Sequence, residues 1–326
     1  MAGATLLVAA CADSSSPPIV FVSDSGGDRE IMIIDPETAV LTSLTNNDAA
    51  DFDPTWSTDH RKIVYLSDES GTLEINQVVR EGEVSTRLTF GQAPKETPLW
   101  SPSGDRLAWV SRQNGDTELY VMDLAEGEPN RITFNGVRDT LSDWSPDGEW
   151  LVFYSPSGNT EPGLWLRNPS GVNLIRLTQG QDSDAAWSPD GERIAFVRVA
   201  EDNHDIYLAT KEKGGTWRGK IDGLRLTQVA ERDESPQWSP DSKSLVFVSH
   251  RDGNAEIYTM RADGAKQRRL TNNGEDDVDP VWSPDGRQIA FVSYLYGAGE
   301  IFVMDADGGN QRRLTNNDAE DNSPDW

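Results

Sequence analysis

The sequence predicts an all-β fold, a seven-bladed β-propeller with four-stranded blades. The first observation is a tryptophan that recurs seven times, at spacings of 44, 44, 43, 51, 44 and 44 residues: Trp56, Trp100, Trp144, Trp187, Trp238, Trp282 and Trp326. The second is that each interval holds four short runs of strand-forming residues separated by turn residues. A period of about 40–45 residues with four strands per unit is typical of a propeller blade.

The second repeat shows how four strands are assigned within a unit. Residues 54–57 are the expected innermost strand a, residues 62–67 strand b, residues 72–79 strand c, and residues 85–90 strand d at the outer edge. A Ser-Pro-Asp-Gly turn joins strands a and b in three repeats, and three more repeats have diverged versions of this turn. Proline presets φ and glycine tolerates a left-handed exit, so these residues are interpreted as structural.

The two ends of the chain are predicted to complete one blade together. The first repeat begins at strand b, whereas the last Trp lies in a strand a. We therefore expect residues 323–326 to supply the innermost strand of the N-terminal blade and to close the ring. Residues 19–326 then form a single propeller domain.

One interval is longer than the others and carries an insertion in the c–d hairpin of the fifth blade. It is rich in basic residues and also contains a tryptophan: Lys211, Lys213, Trp217, Arg218 and Lys220. It is either a partner contact or simply a longer surface hairpin.

Residues 1–18 are predicted to form a lipoprotein signal-like segment and a tether. Val8-Ala9-Ala10-Cys11 resembles the lipobox of bacterial lipoproteins, in which Cys11 would be the lipidated residue. The Ser- and Pro-containing residues that follow indicate a flexible tether. The alternative is a cytosolic protein with an incidental apolar start. No later run approaches the ~18 apolar residues of a membrane span, so the expected membrane contact is only this lipid anchor.

The charged residues in the composition indicate which classes of ligand the protein can bind. The formal net charge is −26, from 55 acidic and 29 basic residues, which argues against nucleic-acid binding. It favours cations or basic peptides as partners, unless the acidity serves solubility alone. A single Cys excludes a disulfide framework.

Acidic residues recur at two fixed distances before the repeated Trp. Five residues before it, six of seven repeats have Asp and one has Lys95, and we predict ligand binding by this set: Asp51, Asp139, Asp182, Asp233, Asp277 and Asp321. Three residues before it, three repeats have Asp. We expect the first set to surround one mouth of the central channel and the second to lie slightly deeper. The alternative is that each Asp only caps its own turn.

A divalent cation would relieve repulsion within such a ring. Carboxylate and carbonyl oxygens are the ligands that Ca²⁺ or Mg²⁺ prefers. The loops of the most acidic sector become neighbours once the ring closes, and we predict metal ligands there: Asp53, Asp277, Asp279 and Asp321.

Catalytic motifs are not found in the sequence. It has neither a G-x-S-x-G elbow nor an H-E-x-x-H motif. The three histidines, His60, His204 and His250, are expected in turns on two opposite faces, where they cannot converge. No catalytic residue is therefore predicted.

The repeat resembles that of a known family. The phrase Leu-Thr, Asp-x-x-Pro-x-Trp-Ser-Pro-Asp-Gly, Ile-Ala-Phe-Val-Ser and Glu-Ile-Tyr-x-Met is similar to the propeller repeat of the TolB family, and also occurs in propellers of prolyl-oligopeptidase relatives. The resemblance covers residues 19–326 and implies a periplasmic, protein-binding propeller. TolB propellers have six blades, whereas seven are counted here.

The leading hypothesis is a non-catalytic propeller of the bacterial cell envelope, lipid-anchored and either periplasmic or surface-exposed. It would bind a protein, peptide or glycan at an acidic channel mouth, with Ca²⁺ or Mg²⁺ as an optional ion. The alternative is a metal-dependent propeller enzyme, a lyase or lactone hydrolase, that uses the acidic channel. A third hypothesis is a subunit of a larger surface assembly.

Overall fold

The computed structural model describes residues 16–326, except 83, 113–114, 157–161, 201–202, 213–214, 218 and 220. Within these residues, 28 strands form seven four-stranded antiparallel sheets arranged as the blades of a ring, so the predicted propeller is confirmed. The predicted lipidation site, Cys11, lies outside the described residues. No described helix is long and apolar enough to span a bilayer.

The strands follow one another blade by blade. The first seven are β1 (Ile19–Ser23), β2 (Glu30–Ile34), β3 (Leu41–Ser43), β4 (Asp51–Trp56), β5 (Lys62–Ser67), β6 (Glu74–Val79) and β7 (Thr86–Arg87). The next twelve are β8 (Lys95–Trp100), β9 (Arg106–Ser111), β10 (Glu118–Asp123), β11 (Pro129–Arg131), β12 (Thr140–Trp144), β13 (Leu151–Ser155), β14 (Gly163–Arg167), β15 (Leu174–Arg176), β16 (Gln181–Trp187), β17 (Arg193–Ala200), β18 (Asn203–Thr210) and β19 (Leu224–Arg225). The last nine are β20 (Asp233–Trp238), β21 (Ser244–Ser249), β22 (Glu256–Arg261), β23 (Arg268–Arg269), β24 (Asp277–Trp282), β25 (Gln288–Ser293), β26 (Glu300–Asp305), β27 (Arg312–Arg313) and β28 (Asp321–Asp325).

The C-terminal strand closes the ring, as predicted. Blade 1 has the strand order β28-β1-β2-β3, and each later blade takes four consecutive strands. Strand β28 runs antiparallel to β1, with Val20 opposite Asp325 and Ser23 opposite Asp321. The indole of Trp326 donates a hydrogen bond of 2.7 Å to the carbonyl of Pro17, which ties the two ends together again.

Strand lengths differ from the prediction at the inner and outer edges. In blade 2, strand a begins at Asp51, three residues earlier than expected, and strand d covers only Thr86–Arg87. Short edge strands are one way in which a sheet limits pairing with other chains. The earlier start of strand a places the repeated Asp at the beginning of the strand.

The core lies between the blades. Blade 7 presents Ala290 and Val292 to Phe21 and Ile34 of blade 1, and all four are at most 1 % exposed. Similar clusters fill the other spaces, so each blade buries an apolar face against the next.

The insertion in the fifth blade folds back onto the core through its tryptophan. Trp217 is buried, and its ring meets that of Trp187 edge-on at 5.0 Å. This indole is therefore not an exposed partner contact. Lys213, Arg218 and Lys220 lie outside the described residues.

Candidate functional site

A central passage runs along the axis of the ring. Its upper part, where the a strands begin, is a cavity of about 370 Å³ lined by Asp53, Asp279 and Ser235 among others. Ser235 and Gln237 also line a second cavity of about 340 Å³ that contains Asp184. Gln237 also lines a third cavity of about 440 Å³, which lies at the opposite mouth of the passage. These shared lining residues make the three cavities parts of one passage.

A bulge in strand a directs one side chain per blade into this passage. The pairing of strands a and b shifts register between Phe52 and Thr55 in blade 2, and at the corresponding place in the other blades. The residue three before the Trp takes a positive φ in six blades: Asp53, Thr97, Asp184, Ser235, Asp279 and Ser323. Such bulges re-aim a side chain, and left-handed backbone at a non-glycine residue often marks a functional site.

Three of these residues are carboxylates that reach solvent within the passage. Asp53, Asp184 and Asp279 are exposed but still surrounded by channel walls. Partial desolvation raises the pKa of each, and the carboxylate of Glu234 raises that of Asp184 and Asp279 further. At Asp53 the guanidinium of Arg29 lowers the pKa by more than the carboxylate of Glu96 raises it. The passage therefore holds negative charge that a cation can stabilise.

The Asp five residues before the Trp has a different environment. The six side chains are 0–2 % exposed, which corrects the expectation that they surround the channel mouth as a solvent-facing ring: Asp51, Asp139, Asp182, Asp233, Asp277 and Asp321. The backbone N–H of Asp139 donates to the carbonyl of Thr117 in blade 3 at 2.9 Å. Its carboxylate accepts from Ser155 of blade 4 at 2.6 Å. Each such Asp thus lies at a junction, the space between two adjacent blades.

Each junction brings together the same repeat positions. The preceding blade contributes a residue at or near the start of strand c and the Thr after strand d. The following blade contributes the residue five before the Trp, which is Asp in all blades but one, and a residue at or near the end of strand b. At junction 3/4 these are Glu118, Thr133, Asp139 and Ser155. Burial raises the pKa of Asp139 to about 6, and the carboxylate of Glu118 adds to the rise. The same burial raises the pKa of Asp51 and Asp277 to about 6.

The predicted metal ligands do not form one cluster. Asp277 and Asp321 are buried in two different junctions, whereas Asp53 and Asp279 line the passage. Among the residues that the structure describes, no three His, Cys, Asp or Glu side chains converge as a metal site. The bulge separates the two sets because it interrupts the alternation that would put both on one face.

The histidines have defined surroundings. His60 lines the lower mouth beside Trp56, and burial lowers its pKa. His250 Nε2 lies 2.9 Å from Glu234 Oε1 at the upper mouth, so it is not a purely solvated turn residue. His204 lies in β18 on the upper side. Glu234 was not among the residues predicted from the sequence. The only indication of it there is its position four residues before a repeated Trp.

The family profile of the TolB β-propeller domain matches residues 93–217 and 185–326. The chain belongs to the TolB β-propeller domain family. A comparison with curated proteins gave no match. TolB from Acinetobacter baumannii is 20 % identical with a TM-score of 0.60, over 91 % of this chain and 78 % of that one.

Two enzymes share the fold of this TolB-type propeller. An oligogalacturonate lyase from Vibrio parahaemolyticus is 17 % identical with a TM-score of 0.70, over 89 % of this chain and 86 % of that one. An oligogalacturonate lyase in complex with manganese is 18 % identical with a TM-score of 0.66, over 92 % and 85 %. At these identities the likeness concerns the fold alone.

Proposed function

We propose that this TolB-type propeller is a non-catalytic binding module that holds a positively charged segment of a protein or peptide at the upper mouth of its passage. The observation that carries the proposal is the set of three carboxylates, Asp53, Asp184 and Asp279, exposed within the passage. All three come from strand a of different blades. Asp53 and Asp279 line the upper cavity, and Asp184 lines the cavity that shares Ser235 and Gln237 with it.

Electrostatics favour a cationic segment over a neutral glycan. Glu96 and Glu234 lie close enough to raise the pKa of the passage carboxylates, and the chain carries a formal net charge of −26. A cleft whose charges are mainly of one sign focuses its field and raises the association rate of oppositely charged ligands. Arg29 offsets part of the charge of Asp53, and the other carboxylates leave the passage acidic. A divalent cation, Ca²⁺ or Mg²⁺, would compete for the same field. The manganese complex of a protein with this fold supports including such ions in the test.

We also propose that the module works in the bacterial cell envelope. Membership of the TolB β-propeller family supports this location. Lipidation at Cys11, residues 1–18 as signal-like segment and tether, and residues 19–326 as one domain remain predictions from the sequence. Fractionation of cells that express the full chain tests the lipid anchor, because Cys11→Ser should move the protein from the membrane to the soluble envelope fraction.

Peptide binding tests the proposal. A fluorescent Lys-rich peptide should bind the wild type, and the variant with Asp53→Asn, Asp184→Asn and Asp279→Asn should bind about tenfold more weakly or worse. Binding should weaken as salt rises. The matched control removes three exposed charges outside the passage, with Glu37→Gln, Glu126→Gln and Glu128→Gln. Equal affinity of both triple variants would refute the proposal.

A second candidate is a metal-dependent lyase, favoured by the likeness to oligogalacturonate lyase. Its assay is release of unsaturated product from oligogalacturonate with Mn²⁺, Ca²⁺ or Mg²⁺ added. We expect no turnover. Product formation by the wild type that is lost in the triple passage variant would replace the binding function with an enzymatic one.

A further inference from the structure

Junction 1/2 differs from the other six in its charges. Each of the others contains a Lys or Arg paired with one of its carboxylates. The pairs are Lys95–Glu74 at 3.0 Å, Arg131–Glu118 at 2.6 Å, Arg198–Asp182 at 2.7 Å, Arg225–Asp205 at 2.6 Å, Arg269–Glu256 at 2.5 Å, and Arg313–Glu300. Junction 1/2 has two carboxylates, Glu30 and Asp51, and no described basic side chain forms an ion pair with either.

The difference arises from one repeat position. The residue before the Leu or Ile that follows strand d is Arg in six blades, and in blade 1 it is Ser43. The guanidinium of Arg29 is near but lies over the ring of Phe52 at 5.1 Å, where it lowers the pKa of Asp53 in the passage. It therefore does not replace the missing guanidinium.

Three carboxylate oxygens of this junction are buried without hydrogen-bond partners. They are Oε2 of Glu30 and both carboxylate oxygens of Asp51. Glu30 is 6 % exposed and Asp51 is 0 % exposed. The other oxygen of Glu30 accepts from the N–H of Asn47 at 2.7 Å. The buried hydroxyls of Thr45 and Ser67 and the side-chain amide of Asn47 lie close enough to Asp51 to lower its pKa, but none of them donates a bond of normal geometry to it.

Two buried carboxylates without a counter-charge are costly, because their desolvation is not offset by any attraction. Both residues are buried at the starts of paired strands, Glu30 in β2 and Asp51 in β4. A cation among these oxygens would supply what a Lys or Arg supplies at the six other junctions.

We infer that junction 1/2 is a binding site for a hard divalent cation of the calcium class, held by Glu30 and Asp51 with Thr45 and Ser67 as further oxygen donors. Calcium suits the site better than magnesium. Ca²⁺ accepts an irregular set of carboxylate and neutral oxygens, whereas Mg²⁺ demands octahedral geometry and retains several waters. The bound ion would join blade 1, which contains both ends of the described chain, to blade 2. It is separate from the passage.

Thermal unfolding of the full chain at pH 7.5, in calcium and in EDTA, tests the inference. Calcium at about 100 times its Kd should raise the Tm by about 5 °C. Calorimetry should show binding, but the passage could also take up calcium, so the decisive comparison is between variants.

The decisive variant supplies the missing guanidinium. Ser43→Arg should raise the Tm in EDTA and abolish the calcium-dependent increment, because an Arg at this repeat position pairs with the Glu of strand c elsewhere. Thr42→Arg, one residue earlier on the other face of β3, is the matched control and should keep the increment. The triple passage variant should also keep it. Glu30→Gln, where it folds, should lose it.

Two results would overturn the inference. One is a wild type whose Tm does not respond to calcium at pH 7.5 and rises only on acidification, which would mean that a proton is the sole counter-ion. The other is a calcium increment that survives Ser43→Arg but disappears in the passage variant, which would place the ion on the axis.

Discussion

The Nζ atom of Lys95 lies 3.0 Å from Oε2 of Glu74, and both side chains are almost completely buried at junction 2/3. Lys95 occupies the repeat position that holds Asp in the six other blades. The Arg that would pair with Glu74 by analogy, Arg87, instead lies over the ring of Phe90 at 4.5 Å. Blade 3 is therefore the only blade without Asp at this position, and its Lys95 supplies the positive charge that pairs with Glu74.

Replacing this lysine tests the ion pair. Lys95→Asp restores the common repeat residue but buries two carboxylates without a close cation. We expect a loss of about 3–5 kcal/mol in the free energy of unfolding, measured by denaturant titration. Lys62→Asp, at an exposed position of β5, is the control and should change stability little. A stable Lys95→Asp protein would show that the pair is dispensable.

Deletion of residues 321–326 tests ring closure. The deletion removes β28, and with it the pairing to β1 and the bond from the N–H of Trp56 to the carboxylate of Asp325 at 2.7 Å. We expect the Tm to fall far more than a terminal trim usually causes. Adding a peptide of residues 318–326 should restore part of the loss. An unchanged Tm would contradict closure by this strand.

The raised pKa values predict how stability depends on pH. Asp51, Asp139 and Asp277 have pKa values of about 6 in the folded chain, above the usual value of 3.8. Between these values the folded state binds more protons than the unfolded state, so stability falls as pH rises from about 4 to 6. His60, whose pKa is lowered by burial, acts in the opposite direction. Asp carboxyl groups with a lowered pKa, such as Asp59 and Asp105, also do so, but their contribution is lost only below about pH 4.

We therefore expect a higher Tm at pH 5 than at pH 7.5, as measured by circular dichroism in matched buffers. Asp139→Asn removes one of these contributions and should reduce the difference. A Tm that falls steadily from pH 7.5 to pH 5 would contradict the buried state of these carboxyl groups.

A substitution at Gly163 tests the packing of junction 4/5, where strand c begins with this glycine instead of an acidic residue. A Cβ at this position would overlap the carbonyl oxygen of Thr178. Gly163→Ala should cost about 1–3 kcal/mol, as overpacking usually does. Gly274→Ala is the control, because nothing lies within 4 Å of its added Cβ and its φ is ordinary. Equal stabilities would show that the strand shifts freely.

Much of the fold could be predicted from the sequence, because the repeated Trp and the turn residues mark each blade independently. Strand β5 was predicted at residues 62–67, where it lies. The site was harder to predict. A regular strand would place Asp277 and Asp279 on the same face, but the bulge between Val278 and Val281 separates them. Asp277 is buried, and Asp279 points into the passage.

The signal for that bulge is weak in the sequence. Asp tolerates left-handed backbone, but Thr97 occupies the same conformation in blade 3 and has no such preference. The basic residues that pair with the buried carboxylates could not be predicted either, because Lys95 and Arg198 reach their carboxylates from different repeat positions. Only the packing of two blades brings these groups together.

Parallel measurement of peptide affinity and Tm on two sets of substitutions tests most directly whether the two acidic series have separate roles. Asn at the passage positions, Asp53, Asp184 and Asp279, should weaken binding of the Lys-rich peptide about tenfold and leave the Tm nearly unchanged. Asn at the junction positions Asp139 and Asp277 should shift the Tm and its pH dependence while affinity stays the same. Loss of affinity in the junction set, with full affinity in the passage set, would contradict this division.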